Sequence, residues 1–342
     1  MKKITLGKTG ITTPQNAFGA LPIQRVSKEY AIKVLREAYE GGMTYFDTAR
    51  SYSDSEEKLG EAFKDIPREK IYIATKTQAR TPEKFEEDLN TSLEKLQTDY
   101  IDVYQFHMAD RCFKPGDGTG MYECMLKAKE EGKIRHIGLT AHKITVAEEA
   151  AACGLYETLQ FPMSYLSSPR ELDLIKLCDE NQVGFVCMKA LAGGLITCAD
   201  AAMAFIGQYN ILPIWGIQKE EELKEWLSFM DRPVSMTPEI SAFIEKEKKE
   251  LSGEFCRGCG YCMPCPEGIQ INNCARMSLM LRRAPSESWL TKEWQDKMKQ
   301  IENCRECREC SKKCPYGLDT PALLKENYED YKKVLSGEVK VQ

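Results

Sequence analysis

The sequence predicts a closed (β/α)8 TIM barrel followed by a small, α-rich, cysteine-dense domain. Two observations predict it. Up to about residue 232, eight short apolar runs alternate with longer amphipathic stretches, the pattern of parallel strands joined by helices. Nine of the 15 cysteines then fall between Cys256 and Cys314, mostly in Cys-x-x-Cys repeats. An open, doubly wound sheet is the rival for the first part. Eight strand–helix units fit a closed barrel better, and Gly7, Gly10 and Gly19 near the first strand do not form Gly-x-Gly-x-x-Gly.

The strands are expected at residues 16–21, 43–46, 71–75, 101–106, 134–140, 157–161, 184–188 and 211–215. Helices are expected at 27–40, 55–63, 82–96, 119–131, 169–180 and 220–229. Ser27 before Glu29, and Thr81 before Pro82-Glu83, mark helix starts: a hydroxyl caps free backbone N–H groups, and proline suits the first helical position. The alternation ends at Asp231-Arg232-Pro233. A charged helix at 238–251, ended by Ser252-Gly253, leads into the cysteine region, and a tail helix is expected at 320–334. The expected domains are therefore 1–235 and 236–342.

Composition narrows the function. The net charge of −5 leaves no basic field to hold nucleic acid or an anionic membrane. No apolar run approaches the roughly 18 residues of a membrane span. The basic start, Met1-Lys2-Lys3, is not followed by an apolar stretch of signal-peptide length. A cytoplasmic protein without nucleic-acid or membrane partners is expected. In a reducing compartment, Cys-x-x-Cys repeats imply metal rather than disulfides.

The first run reads Cys256-x-x-Cys259-x-x-Cys262-x-x-Cys265-Pro266, the second Cys304-x-x-Cys307-x-x-Cys310-x-x-x-Cys314-Pro315. The second is the spacing of two-cluster bacterial ferredoxins, and the first is one residue shorter before its last cysteine. Three cysteines at this spacing occupy three corners of a cubane, and the Cys-Pro of the other run completes it. The expected ligand sets are Cys256, Cys259, Cys262 and Cys314 for one [4Fe–4S] cluster, and Cys304, Cys307, Cys310 and Cys265 for the other. Two zinc sites, each held by four thiolates, are the alternative, although zinc ribbons use separated pairs. Cys274 and the six scattered cysteines read as packing residues.

In a barrel the C-terminal strand ends face the active site. Asp47, Lys76 and His107 directly follow the second, third and fourth predicted strands, and Tyr52 follows in the loop after Asp47. Together they make a proton relay for a carbonyl. Tyr52 is the acid, Lys76 lowers its pKa towards the operating range, Asp47 holds Lys76 charged, and neutral His107 orients the carbonyl oxygen. Arg50, Arg80, Arg111 and Lys114 in nearby loops would suit an anionic carbonyl compound.

On these residues the chain resembles the aldo/keto reductase family, through Phe46-Asp47-Thr48-Ala49 with Tyr52, Ser55-Glu56 with Leu59-Gly60, Thr75-Lys76, and His107. It is also similar to the subgroup with a C-terminal two-cluster ferredoxin-like iron–sulfur domain. The resemblance implies a (β/α)8 fold and NAD(P)H-dependent carbonyl reduction without flavin or catalytic metal. It implies that Thr140 and Gln160 hold the nicotinamide carboxamide, that Gly19 and Ala20 line the nicotinamide, and that Leu191 and Gly193 lie along the pyrophosphate. Gly216, Lys219 and Glu222 would stand at the adenosine end. There are departures: Ser164 replaces an asparagine, Ala190 a proline, and Glu222 sits about where an arginine holds a 2′-phosphate. A carboxylate repels that phosphate and accepts from a 2′-hydroxyl, so NADH is expected to bind at least as well as NADPH. Glu222 in a helix start favoured by the dipole is the plainer alternative.

The expected protein is thus an oxidoreductase that interconverts a small carbonyl compound and its alcohol with NAD(H) or NADP(H). Its two [4Fe–4S] clusters serve electron transfer, redox sensing or structure, with ferredoxin or another electron-transfer protein as a candidate partner. The alternative is a non-catalytic electron-relay or redox-sensing subunit built on the same barrel. A complete Tyr52, Lys76, Asp47 and His107 set argues for the enzyme.

Overall fold

The computed structural model describes residues 1–251, 255–283 and 286–341; Ser252 and Gly253, the expected stop of the connecting helix, lie outside them. The chain opens with an antiparallel hairpin, β1 (Lys3–Thr5) and β2 (Thr12–Pro14). Eight parallel strands follow: β3 (Ala17–Gly19), β4 (Tyr45–Asp47), β5 (Tyr72–Thr77), β6 (Ile101–Phe106), β7 (Ile134–Thr140), β8 (Thr158–Pro162), β9 (Gly184–Met188) and β10 (Ile211–Gly216). Each pairs with the next and β10 returns to β3, closing the barrel.

The helices between them are α1 (Lys28–Glu40), α2 (Ser55–Phe63), α3 (Pro82–Leu96), α4 (Met121–Glu130), α5 (Ile144–Ala152), α6 (Pro169–Glu180), α7 (Ala199–Ile206) and α8 (Glu220–Asp231). Their sequences explain their ends and faces. In α1, Ser27 accepts from the Tyr30 N–H, and Ala31, Val34, Leu35 and Ala38 recur at helical spacing to make the buried stripe. In α6, Ser168 and Glu171 form a reciprocal capping box. Gly60 in α2 lets that helix approach α3: a Cβ there would stand 2.3 Å from the Lys95 carbonyl.

The strands are buried on both sides, so they read as continuous apolar runs. At the N-terminal end, Ile4, Leu6 and Ile11 from the hairpin and its turn join Tyr45, Val103, Val186 and Leu212 in one core cluster. That plug closes the end remote from the predicted chemistry.

The chain divides into two compact units: Met1–Ala190 with Ala199–Thr237, and Leu191–Cys198 with Pro238–Gln342. A contiguous division at residue 235 contains no such excursion. The second unit consists of α9 (Pro238–Glu250), α10 (Ile271–Cys274), α11 (Met277–Arg283), α12 (Lys292–Lys299), α13 (Glu309–Lys313) and α14 (Thr320–Leu335). Its core gathers Leu195, Ile269, Ile271, Met277, Leu281, Met298, Leu324 and Tyr331.

Candidate active site and cysteine centres

Strand register assembles the first site. Gly19 pairs with both Gly216 and Asp47, Lys76 with Gln105, and Thr140 with Gln160, all at the C-terminal ends of their strands. Lys76 is buried, with its ammonium 2.6 Å from Asp47 Oδ1 and 2.6 Å from the Thr48 carbonyl. The same ammonium lies 5.4 Å from the Tyr52 ring centroid. The His107 ring meets Tyr52 edge-on at 5.6 Å, and Ser51 Oγ stands 3.3 Å from His107 Nδ1. The four predicted residues therefore come together.

The loop carrying Tyr52 is fixed from below. Ser55 donates to the Ala20 carbonyl at 3.0 Å, and its hydroxyl lies 2.8 Å from that of Thr48. The buried Glu56 carboxylate accepts from Thr75 and Ser92 and pairs with Arg50. Ser55 and Glu56 are thus scaffold groups.

Burial pushes the Asp47 carboxyl up and the Lys76 ammonium down, and their mutual attraction opposes both shifts. For Tyr52 the structure corrects the expectation that Lys76 brings its pKa near neutrality. Burial, aided by the Asp47 charge, pushes the hydroxyl well up instead. His107 is pushed down to about 3, first by burial and then by Lys76 and His142. Tyr52 is therefore a held proton and His107 a neutral imidazole across the physiological range.

Thr140 Oγ1 accepts from the Met108 N–H at 2.8 Å, keeping its own proton to donate. Gln160 Oε1 accepts from Gln105 at 3.3 Å. Ser164, the departure from asparagine, uses its hydroxyl to accept from the Leu166 N–H. Thr140 and Gln160 thus set a hydroxyl and an amide side by side at the C-terminal ends of β7 and β8, while Gly19 ends β3 and Ala20 follows it. Leu191 and Gly193 belong to the second unit. Gly216 ends β10, and Lys219 and Glu222 stand at the start of α8. There Glu222 accepts from the Gln218 and Lys219 N–H groups at 2.7 and 2.9 Å. Its carboxylate is a helix cap, which is the plainer of the two sequence readings.

Two residues with a bearing on the site escape sequence reasoning. Gln105 sits two positions before His107, on a strand face no periodicity distinguishes. His142, buried two residues past Thr140, acts electrostatically on His107 and is itself held down to about 3 by burial. The basic loop groups named for an anionic substrate each stand near a carboxylate, and Arg80, Arg111 and Lys114 are about half exposed. Arg50 pairs with Glu56, Arg80 with Asp110 at 3.7 Å, Arg111 with Asp117 at 3.0 Å, and Lys114 with Glu149 at 2.6 Å. Each basic group already has its carboxylate.

In the second unit the cysteines gather in two cavities. One is lined by Cys256, Cys259, Cys262 and Cys314, the other by Cys265, Cys304, Cys307 and Cys310, with Cys262 between them. Burial raises the Cys256 thiol, and Cys259 and Cys314 both act on it. Each cavity thus draws its fourth cysteine from the other run. Among the described residues, no three His, Cys, Asp or Glu side chains converge as a single ion requires. The donors are all thiols, the chemistry iron–sulfur clusters take. Cys274 is buried in the core and lines neither cavity.

Residues 3–208 match the model of the aldo/keto reductase family, and the chain belongs to that family. Residues 255–319 match the 4Fe-4S dicluster domain, so this member carries an iron–sulfur domain after its barrel. The NADH-specific methylglyoxal reductase of Escherichia coli is 28% identical over 291 residues, covering 74% of this chain and 88% of that one. "Probable aldo-keto reductase 1" of Glycine max is 28% identical over 57% of this chain, which spans only 60% of that relative. An aldo-keto reductase from Klebsiella pneumoniae, solved in complex with NADPH, superposes with a TM-score of 0.60 at 22% identity, covering 72% of this chain and 95% of the other. Among the described residues no helix is long and apolar enough to cross a membrane.

Proposed function

We propose that the chain reduces a small, uncharged aldehyde or ketone to its alcohol with NAD(P)H, and runs the reverse reaction when the alcohol is in excess. The observation that carries this reading is the buried Asp47–Lys76 pair beside Tyr52 and His107. A bound reduced nicotinamide supplies the hydride to the carbonyl carbon. Tyr52 gives its proton to the carbonyl oxygen. Lys76, held charged by Asp47, stabilises the phenolate left behind until solvent returns a proton. Neutral His107 hydrogen-bonds the oxygen through Nε2 while Nδ1 faces Ser51. The paired state of all four basic loop residues supports a neutral substrate. Gly19, Ala20, Thr140, Gln160, Gly216 and Lys219 are the barrel residues for the dinucleotide, and Glu222 favours NADH over NADPH.

In the second unit, Cys256, Cys259, Cys262 and Cys314 hold one [4Fe–4S] cluster, and Cys265, Cys304, Cys307 and Cys310 the other. Cys307 is exposed, which supports one-electron exchange with ferredoxin or a similar protein at the second centre. NADH-dependent turnover of methylglyoxal by the anaerobically reconstituted chain tests the enzyme reading. No turnover of this or other simple aldehydes, with both clusters present and NADH bound, would leave the relay subunit as the answer.

A further inference from the structure

Arg276 lies between α10 and α11 and is only 9% exposed, yet its Nε and Nη1 find no hydrogen-bond partner. Among the described residues no carboxylate forms an ion pair with it. A guanidinium cannot shed its charge, and an unpaired buried one is costly. The ionisable group that acts on it is Cys256.

Its surroundings are built for it. Two glycines flank the guanidinium, each with left-handed backbone: Gly193 at φ 69° and Gly258 at φ 63°. A Cβ at Gly193 would stand 2.5 Å from Nη1, and one at Gly258 would stand 3.0 Å from Cζ. With the guanidinium where it stands, a side chain at Gly193 would displace it and one at Gly258 would crowd it. Gly258 lies between Cys256 and Cys259, and its N–H points at Cys256 Sγ at 3.4 Å. The backbone of Arg276 is fixed as well: its carbonyl accepts from the Leu279 and Met280 N–H groups that open α11. All these residues belong to the second unit.

We propose that Arg276 is a positioning and tuning residue of the centre held by Cys256, Cys259, Cys262 and Cys314, and that its fixed charge raises that centre's reduction potential. The proposal rests on the cluster assignment above. One-electron reduction, by a low-potential donor such as ferredoxin or dithionite, adds one negative charge to a cluster that its thiolates already make anionic. A buried cation beside it favours the reduced form more than the oxidised form. Net charge and hydrogen bonds to sulfur are among the factors that set such potentials. The second centre, lined by Cys304 and Cys307, has Arg305 and Arg308 at its rim, both exposed, where solvent screens them. Arg276, together with the half-buried Arg257 in the lining of the Cys256 cavity, therefore separates the two centres in potential.

The test is a dithionite titration, followed by electron paramagnetic resonance, of the anaerobically reconstituted full chain. Cys307→Ser identifies the second centre's signal. Arg276→Met should lower the reduced-to-oxidised ratio of the Cys256 centre at least tenfold at fixed poise, a shift of about 59 mV for one electron. The other centre should move much less. Arg276→Lys should keep most of the wild-type potential, which a merely structural role would not predict. Arg276→Gln, closer in shape, repeats the test if the Met protein fails to load iron. Unmoved potentials in a fully loaded neutral variant overturn the proposal. So does a tenfold loss of NADH affinity with both potentials unchanged, which would give the guanidinium to the nucleotide. A wild-type chain that binds zinc and no iron–sulfur overturns the cluster assignment first, and the proposal with it.

Discussion

At the scale of single residues, two groups in the candidate site are held away from neutrality in opposite directions. Tyr52 keeps its proton because burial and Asp47 oppose the phenolate. His107 stays neutral because burial and Lys76 oppose the imidazolium, down to about pH 3. Neither group changes state between about pH 5 and about pH 9, so carbonyl reduction should be flat there in kcat. Alcohol oxidation needs Tyr52 to give up its proton and should rise with pH over the same span. A bell-shaped reduction profile centred near neutrality would show that another group sets the proton step. Tyr52→Phe should cost about 10² to 10⁴ in rate while NADH binding persists, as read by turnover and fluorescence titration. Lys76→Met strands the buried Asp47 carboxylate, and breaking such a pair typically costs about 3 to 5 kcal/mol. Burial already raises the folded pKa of Asp47. The variant's folded form therefore takes up a proton that the unfolded form releases near pH 4. Its stability deficit should grow as pH rises, with a melting temperature closer to wild type at pH 5 than at pH 8.

At the scale of elements, the start of α8 carries the cofactor question. Glu222 caps that helix through two backbone N–H groups, yet it remains a fixed negative charge. Glu222→Gln keeps an oxygen that can cap and removes the charge. It should narrow the NADH preference while costing at most about 1 kcal/mol of stability. Paired titrations with NADH and NADPH check this, and an unchanged affinity ratio would assign Glu222 to capping alone. The elements also show what a sequence can disclose. β6, β7 and β9 run over the expected residues, and so do α2, α3 and α6, whose caps or periodicity are strong. The β4 and β5 edges shift by up to two residues, because strands buried on both faces carry no alternation to mark their ends. The hairpin of β1 and β2 is unpredicted, since three-residue strands are too short for a pattern. So are the short helices α10 to α13, of which the longest has eight residues and helical periodicity barely repeats. Asp47, Lys76 and His107 were legible because each lies within one residue of the C-terminal end of a strand. The carboxylate partners of Arg80 and Lys114 were not, because they come from residues distant in sequence or unmarked by any pattern.

At the scale of the whole molecule, the two units hold themselves together by different means. The barrel closes its own sheet. Between α9 and α14 the described helices of the second unit are short, and Cys256, Cys262, Cys265, Cys304 and Cys310 pack at the edge of its core. Small domains of this kind draw folding free energy from metal ligation. The crossing of the cysteine runs makes that dependence mutual. Cys314 shares a cavity with Cys256, Cys259 and Cys262, while Cys265 shares one with Cys304, Cys307 and Cys310. Each cluster would then tie together segments about 40 to 50 residues apart, closing a loop whose entropy an unligated chain would recover. Cys314→Ser should therefore damage the centre held by the first run and loosen the second unit as a whole, leaving the barrel's far-ultraviolet circular dichroism and NADH binding in place. Iron should fall from near eight atoms per chain, the content of two four-iron clusters, towards four. Limited proteolysis should then cut the second unit of the variant faster than that of the wild-type chain. Had each run closed its own cluster, the Ser variant would lose the Cys304 centre and keep the Cys256 one. The shortened gap before Cys265 is what makes that outcome the one to look for, since one residue fewer shortens the reach of that thiol towards the opposite run.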